Sequence, residues 1–174
     1  AMRARLIDLG ALSSGRTLER NVCFDTEAHD LRRHKSLLRL RQDRRVTLTF
    51  KSPPAETDPG FKQLVELEVE VGDFEAMRRI LHAVGFRPQH AYEKQRETLR
   101  LGRTAFCVDT LPYGDFLEIE GPRGEIRDCA GRLGGDWDRR ILLTYLEIFA
   151  IVKSRLGLNC EDATFDNFNG IDVC

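Results

Sequence analysis

Charge alternates with hydrophobicity at every second residue in five stretches of this chain, and that period constrains the fold more than any other feature. LLRLRQ (37–42) sets Leu38 and Leu40 against Arg39 and Arg41. VTLTFK (46–51) sets Val46, Leu48 and Phe50 against Thr47, Thr49 and Lys51. In QLVELEVEV (63–71), Glu66, Glu68 and Glu70 oppose Val65, Leu67, Val69 and Val71. YEKQRETLRL (92–101) carries Lys94 and Arg96 on one side, and FLEIE (116–120) carries Glu118 and Glu120. Residues two apart share a strand face, so each stretch predicts a strand with one apolar and one charged side.

The segments between them are mostly short. Asp43-Arg44-Arg45 and Gly102-Arg103 read as turns, and Pro53-Pro54 to Gly60 reads as a mobile loop. GRTLERNVCFDT (15–26) and TAFCVDTL (104–111) are further strands, the latter carrying Asp109 opposite Val108. Hairpin-type connections predict a mainly antiparallel sheet and an α+β class. Residues 3–9 read as a short helix stopped by Gly10. Asp73 caps a helix with Phe74, Met77 and Leu81 on one face, ending at Gly85. Residues 124–133 predict a short helix ended by Gly134-Gly135. Asp136 or Asp138 is expected to cap a long helix over 138–156 that ends at Gly157. The tail ATFDNFNGIDVC reads as irregular.

Length and charge exclude several classes. A chain of 174 residues, 41% hydrophobic and 32% charged, is globular and the size of one domain. Its 27 basic and 28 acidic residues leave a net charge of −1, which argues against a dedicated duplex-DNA binder. No apolar run reaches transmembrane length and no signal peptide is visible. Five widely spaced cysteines (Cys23, Cys107, Cys129, Cys160, Cys174) form no C-x-x-C pair, so they predict small buried thiols in a reducing cytoplasm. His29, His34, His82 and His90 have no metal-ligand spacing.

The charged faces admit two arrangements. They are the wet side of an antiparallel sheet, or the sheet curls with those faces inward and helices 74–84 and 138–156 over its apolar outside. The residue choice favours the second. Arg-x-Arg, Lys-x-Arg and Glu-x-Glu recur where a solvent face ordinarily mixes Ser, Thr, Gln and Lys. Guanidinium and ammonium groups match polyphosphate oxygens. Clustered carboxylates match Mg²⁺ or Mn²⁺, which share ligands with phosphates.

The ordered set NVCFDT, LRLR, LTFK, VELEVEV, EKQR, FCVDTLPYGDFLEIEG, TYLEIF and the closing ATF resembles the CYTH superfamily, the triphosphate tunnel metalloenzymes. These include class IV adenylate cyclases and thiamine triphosphatases. The resemblance spans nearly the whole chain and implies a single domain, 1–174. The implied fold is an eight-stranded antiparallel barrel with a charged tunnel and outer helices. It implies that Arg39, Arg41, Lys51, Lys94 and Arg96 hold a triphosphate. It also implies that Glu66 and Glu68 line the tunnel and that Glu118 and Glu120, with Asp109, serve Mg²⁺ or Mn²⁺. Asp109 orients a basic neighbour in the same picture, and Glu118, Glu120 and Lys94 are the implied catalytic set. Glu70 and Arg100 read as solvated. The implied chemistry is metal-assisted phosphoryl transfer to water or to a ribose hydroxyl. The substrate is ATP, thiamine triphosphate or tripolyphosphate, with neither nucleic acid nor membrane as partner.

Two departures qualify this. The family's first-strand E-x-E-x-K is absent, so the barrel is expected to be incomplete by that strand. A start at an internal Met, with Ala1 a cloning scar, accounts for it, and a truncated homologue that only binds its ligand is the alternative. Unpaired sheet edges then predict a homodimer. Leu64 stands where relatives often carry Arg, with Lys62 on the same face as a partial replacement.

Overall fold

The computed structural model describes residues 2–173 except Thr57; Ala1 and Cys174, and with Cys174 one of the expected thiols, lie outside the described residues. Seven strands form one open sheet in the order β4-β3-β2-β1-β5-β6-β7. They are β1 (Leu12–Thr26), β2 (Leu37–Gln42), β3 (Val46–Ser52), β4 (Val65–Val71), β5 (Phe86–Leu101), β6 (Thr104–Leu111) and β7 (Gly114–Glu120). The helices are α1 (Met2–Asp8), α2 (Asp30–Arg33), α3 (Phe74–Ala83), α4 (Arg123–Arg132) and α5 (Tyr145–Leu156). The expected α+β antiparallel fold is present, one strand short of eight.

The chain divides into two compact units. The first comprises residues 1–18, 94–157 and 172–174. In it β5, β6 and β7 pair antiparallel, with Arg96 opposite Asp109 and Cys107 opposite Glu118. Leu99, Phe106, Leu117 and Ile119 form the apolar face. They pack with Leu6 of α1 and Cys129 and Leu133 beside α4. Each such large apolar side chain contributes about 1.5–3 kcal/mol on burial. Arg3 of α1 grips Glu97 on that side, and Ser13 donates to the same carboxylate at 2.5 Å.

The second unit comprises residues 19–93 and 158–171. Strands β1–β4 pair antiparallel, in rows such as Cys23–Arg39–Thr49–Glu68. Phe24, Leu38, Leu40 and Leu81 make its core, with Phe74 and Met77 of α3 packed on them. Asp73 caps α3 by accepting from Ala76 N, as the sequence implies. The tail is not wholly irregular: Ala163 bridges to Tyr92 in parallel, and Phe165 N donates to Glu93.

Two expectations need correction. The long helix does not begin at 138. Asp136 accepts from Asp138 N and caps only a single 3₁₀ turn, Trp137–Arg139. Helix α5 starts at Tyr145, because Thr144 and Glu147 satisfy each other's backbone N–H groups in a capping box. Ile141 and Leu142 therefore sit outside the helix and are exposed. The second correction concerns β4. Among the described residues its apolar side chains Val65, Leu67 and Val69 are not covered by α3; Leu67 is 66% exposed, and only Val71 joins the core.

Candidate functional site

In the first unit the charged face carries Lys94 and Arg96 on β5, Asp109 on β6, and Glu118 and Glu120 on β7. Asp109 is fully buried and is the hub. Its Oδ1 accepts from Arg96 Nε at 2.7 Å. Its Oδ2 accepts from Lys94 Nζ at 3.1 Å, from Arg96 Nη2, and from the Tyr145 hydroxyl at 2.7 Å. Arg96 Nη2 also reaches Glu118 Oε2 at 2.5 Å. Lys94 is 2% exposed and its ammonium lies 5.1 Å from the Tyr145 ring centroid.

Burial alone would raise the Asp109 pKa, but the Arg96 hydrogen bond and the Lys94 charge outweigh it and hold the carboxyl below its ordinary value. Burial likewise works against the Arg96 charge, and the bond to Asp109 overrides it, so the guanidinium is held more firmly charged. Burial, helped by Glu118 and Asp109, pushes the Tyr145 phenol up. It is therefore a hydrogen-bond donor at neutral pH. A buried carboxylate thus fixes two cations and aims them together.

In the second unit the charged face is more loosely built. Lys51 Nζ donates to Glu66 at 2.6 Å, and Thr49 Oγ1 donates to Glu68 at 2.8 Å. Arg41 has Glu68 at 3.5 Å, Asp43 at 3.7 Å and Glu19 at 3.9 Å, all beyond tight hydrogen-bonding distance. The Glu66 and Glu68 side chains are 48% and 43% exposed. Arg39 is buried against Tyr92, whose hydroxyl accepts from Nη1 at 3.2 Å. Beside it the Cys23 thiol is pushed up to about 12 by burial, against the pull of Arg39, so it is protonated and unreactive at neutral pH. Glu70 pairs with Arg45 where both are exposed, which fits its reading as a solvated residue.

The structure thus unites Lys94, Arg96, Asp109 and Glu118 in one network, and separately Arg41 with Glu68 and Lys51 with Glu66. Glu120 shares the Glu118 face and is exposed. Sequence reading missed Tyr145, which looked like one more apolar position of a long helix. It also missed the buried Glu19 and Asn21, although ERNVCFDT alternates in the same way as the other strands.

Metal-ligating capacity can be tested on the donor set. Among the described residues no three His, Cys, Asp or Glu side chains converge to hold a metal ion. All-protein coordination therefore does not fit these residues. The donor set suits a divalent ion that keeps water and phosphate ligands and uses one or two carboxylates. Glu118 and Glu120, two residues apart on one strand face, offer such a pair. Asp109 does not, because its oxygens already accept four donors.

The CYTH domain family model matches residues 1–130. No curated protein matches the chain. Among solved structures, the PH1012 protein of Pyrococcus horikoshii is 26% identical, with a TM-score of 0.72 over 84% of this chain and 90% of that one. A candidate adenylate cyclase from Vibrio parahaemolyticus is 16% identical, with a TM-score of 0.76 over 86% of this chain and 90% of that one. A candidate adenylyl cyclase from Hippeastrum, described as having a dominant triphosphatase activity, is 17% identical. Its TM-score is 0.58, over 86% of this chain and 90% of that one.

Proposed function

The chain belongs to the CYTH domain family, and from that membership we propose that it is a divalent-metal-dependent phosphohydrolase acting on the triphosphate group of a small molecule. One observation carries the reading most: two cations, Lys94 and Arg96, held by a single buried carboxylate on the face that also bears Glu118 and Glu120. Evolution of a structural core does not call for such a network, because a buried ion cluster is at best weakly stabilising. Charged groups fixed in advance are what a transferring phosphoryl group needs.

In this reading Lys94 and Arg96 bind phosphate oxygens, and Asp109 holds both in place. In the second unit, Arg39, Arg41 and Lys51 are further candidate phosphate-binding cations. Glu118 and Glu120 would hold Mg²⁺ or Mn²⁺, and in the second unit Glu66 and Glu68 are further candidate carboxylates. When bound, the ion neutralises phosphate charge and polarises the scissile phosphorus. Hydrolysis is favoured over cyclisation by the dominant triphosphatase activity described for the Hippeastrum neighbour. Four reduced thiols among the described residues suit a cytoplasmic setting. No helix is long and apolar enough to cross a membrane.

The test uses the full chain with tripolyphosphate, ATP and thiamine triphosphate, each with and without Mg²⁺ or Mn²⁺. Orthophosphate release that requires the metal is the expected result. Pyrophosphate release from ATP supports cyclase chemistry instead. A thermal shift without any product leaves a ligand-binding protein, and no shift with any ligand overturns the reading.

A further inference from the structure

Helix α5 contributes one residue to the charged face, and nothing in the alternating strands requires it there. The Thr144–Glu147 capping box fixes Tyr145 as the first helical residue. Three further contacts fix its ring and backbone. Phe116 packs edge-on with ring centroids 5.3 Å apart. Tyr113 Oη donates to the Tyr145 carbonyl at 2.8 Å. Tyr113 also stacks on Phe149, one helical turn further along α5. Once so held, the Tyr145 hydroxyl has a single direction, toward Asp109 Oδ2. That is the oxygen that Lys94 also uses.

We propose that Tyr145 is a positioning residue: its hydroxyl fixes the Asp109 carboxylate, and through it the direction of the Lys94 ammonium toward bound phosphate. The role rests on the triphosphatase reading given above. Without the hydroxyl, Asp109 Oδ2 keeps its two cationic donors but loses the one neutral donor, which comes from an element outside the sheet. The carboxylate is then free to follow Lys94 and Arg96 when these meet phosphate, rather than to hold them. A residue that only packed would act through its ring alone.

The experiment compares Tyr145→Phe, which removes the hydroxyl and keeps the ring, with Tyr145→Leu, which removes both. The first readout needs neither substrate nor metal. In ¹⁵N-lysine-labelled protein at low temperature and mildly acidic pH, the Lys94 ammonium gives a slowly exchanging signal, assigned by its loss in Lys94→Met. In Tyr145→Phe that signal shifts and exchanges faster. The second readout is metal-free tripolyphosphate affinity by calorimetry, expected to weaken about fivefold to tenfold, the size of one ordinary hydrogen bond. The third is steady-state hydrolysis, where kcat is expected to fall about tenfold with a smaller change in KM. A Tyr145→Phe protein that matches the wild type in the Lys94 signal, the affinity and kcat overturns the proposal, even if Tyr145→Leu is unstable. A wild-type protein with no triphosphatase activity overturns the functional reading instead. The Lys94 signal still decides whether Tyr145 fixes Asp109.

Discussion

The two charged faces of this molecule are built from the same sequence pattern and differ in how tightly they are held. In the first unit Lys94 and Asp109 are buried, Arg96 is half-buried, and the three are joined by hydrogen bonds of 2.7–3.1 Å. In the second, Arg41 stands 3.5–3.9 Å from three carboxylates, and Glu66 and Glu68 are nearly half exposed on the end strand β4. The first face is fixed by its own hydrogen bonds; the second has exposed carboxylates with room to rearrange. A polyphosphate has one reacting phosphorus and a longer tail. Charges fixed in advance suit a reacting centre, whereas exposed charges rearrange at little cost.

The largest expected difference is in stability. Asp109→Ala leaves the buried Lys94 and the half-buried Arg96 without their shared partner, and a loss of about 3–5 kcal/mol is expected. Glu68→Ala removes a half-exposed partner, and the loss is expected to stay below about 1 kcal/mol. Urea unfolding of both variants measures this, and equal losses would erase the distinction between the faces.

Ligand binding gives the next contrast. Lys94→Met is expected to weaken tripolyphosphate binding by about a hundredfold, and Lys51→Met by less than about tenfold. Calorimetry at fixed ionic strength reads both. A larger loss in Lys51→Met would move the main phosphate contact to the second unit.

Acid provides a third test. The folded-state pKa of Asp109 lies below its unfolded value. Its contribution is therefore complete above the unfolded value, near 3.9, and is lost as pH falls through the folded value. Asp109→Asn should flatten the stability–pH curve below about pH 4 while leaving its slope near neutrality unchanged. Melting curves across that range check the sign.

The smallest effect concerns the element that brings Tyr145 to the face. Thr144→Ala removes the capping box and should cost about 1 kcal/mol, with the Tyr145–Asp109 contact loosened but not lost. A loss as large as that of Asp109→Ala would mean that α5 supports far more than the start of one helix.

Much of this was legible in the sequence. Period-two alternation located β2, β3, β4 and β7 to within about two residues, and the later part of β5. Asp73 and the glycines after α3 and α5 marked helix ends by chemistry that local sequence carries. Alternation says which residues share a face; it does not say which face water reaches. Thr49 and Glu68 are paired across one row, yet Thr49 is fully buried and Glu68 is not, because β4 ends the sheet. Tyr145 was hidden for a related reason. Its apolar neighbours matched a helical stripe, and only the capping box at Thr144 shows where that helix begins. Its partner Asp109 lies 36 positions away, a pairing that no local pattern encodes.

The central claim is that the face bearing Glu118 and Glu120 joins a divalent ion to the cations held by Asp109. Glu118→Gln keeps the shape of the side chain and removes its charge. The direct measurement is Mn²⁺-dependent orthophosphate release from tripolyphosphate by the wild type and by this variant, with folding checked by thermal melting. The account predicts release by the wild type only when metal is present, and a loss of about a hundredfold or more in the variant. A folded Glu118→Gln protein that hydrolyses tripolyphosphate at the wild-type rate, with the same Mn²⁺ dependence, would contradict it.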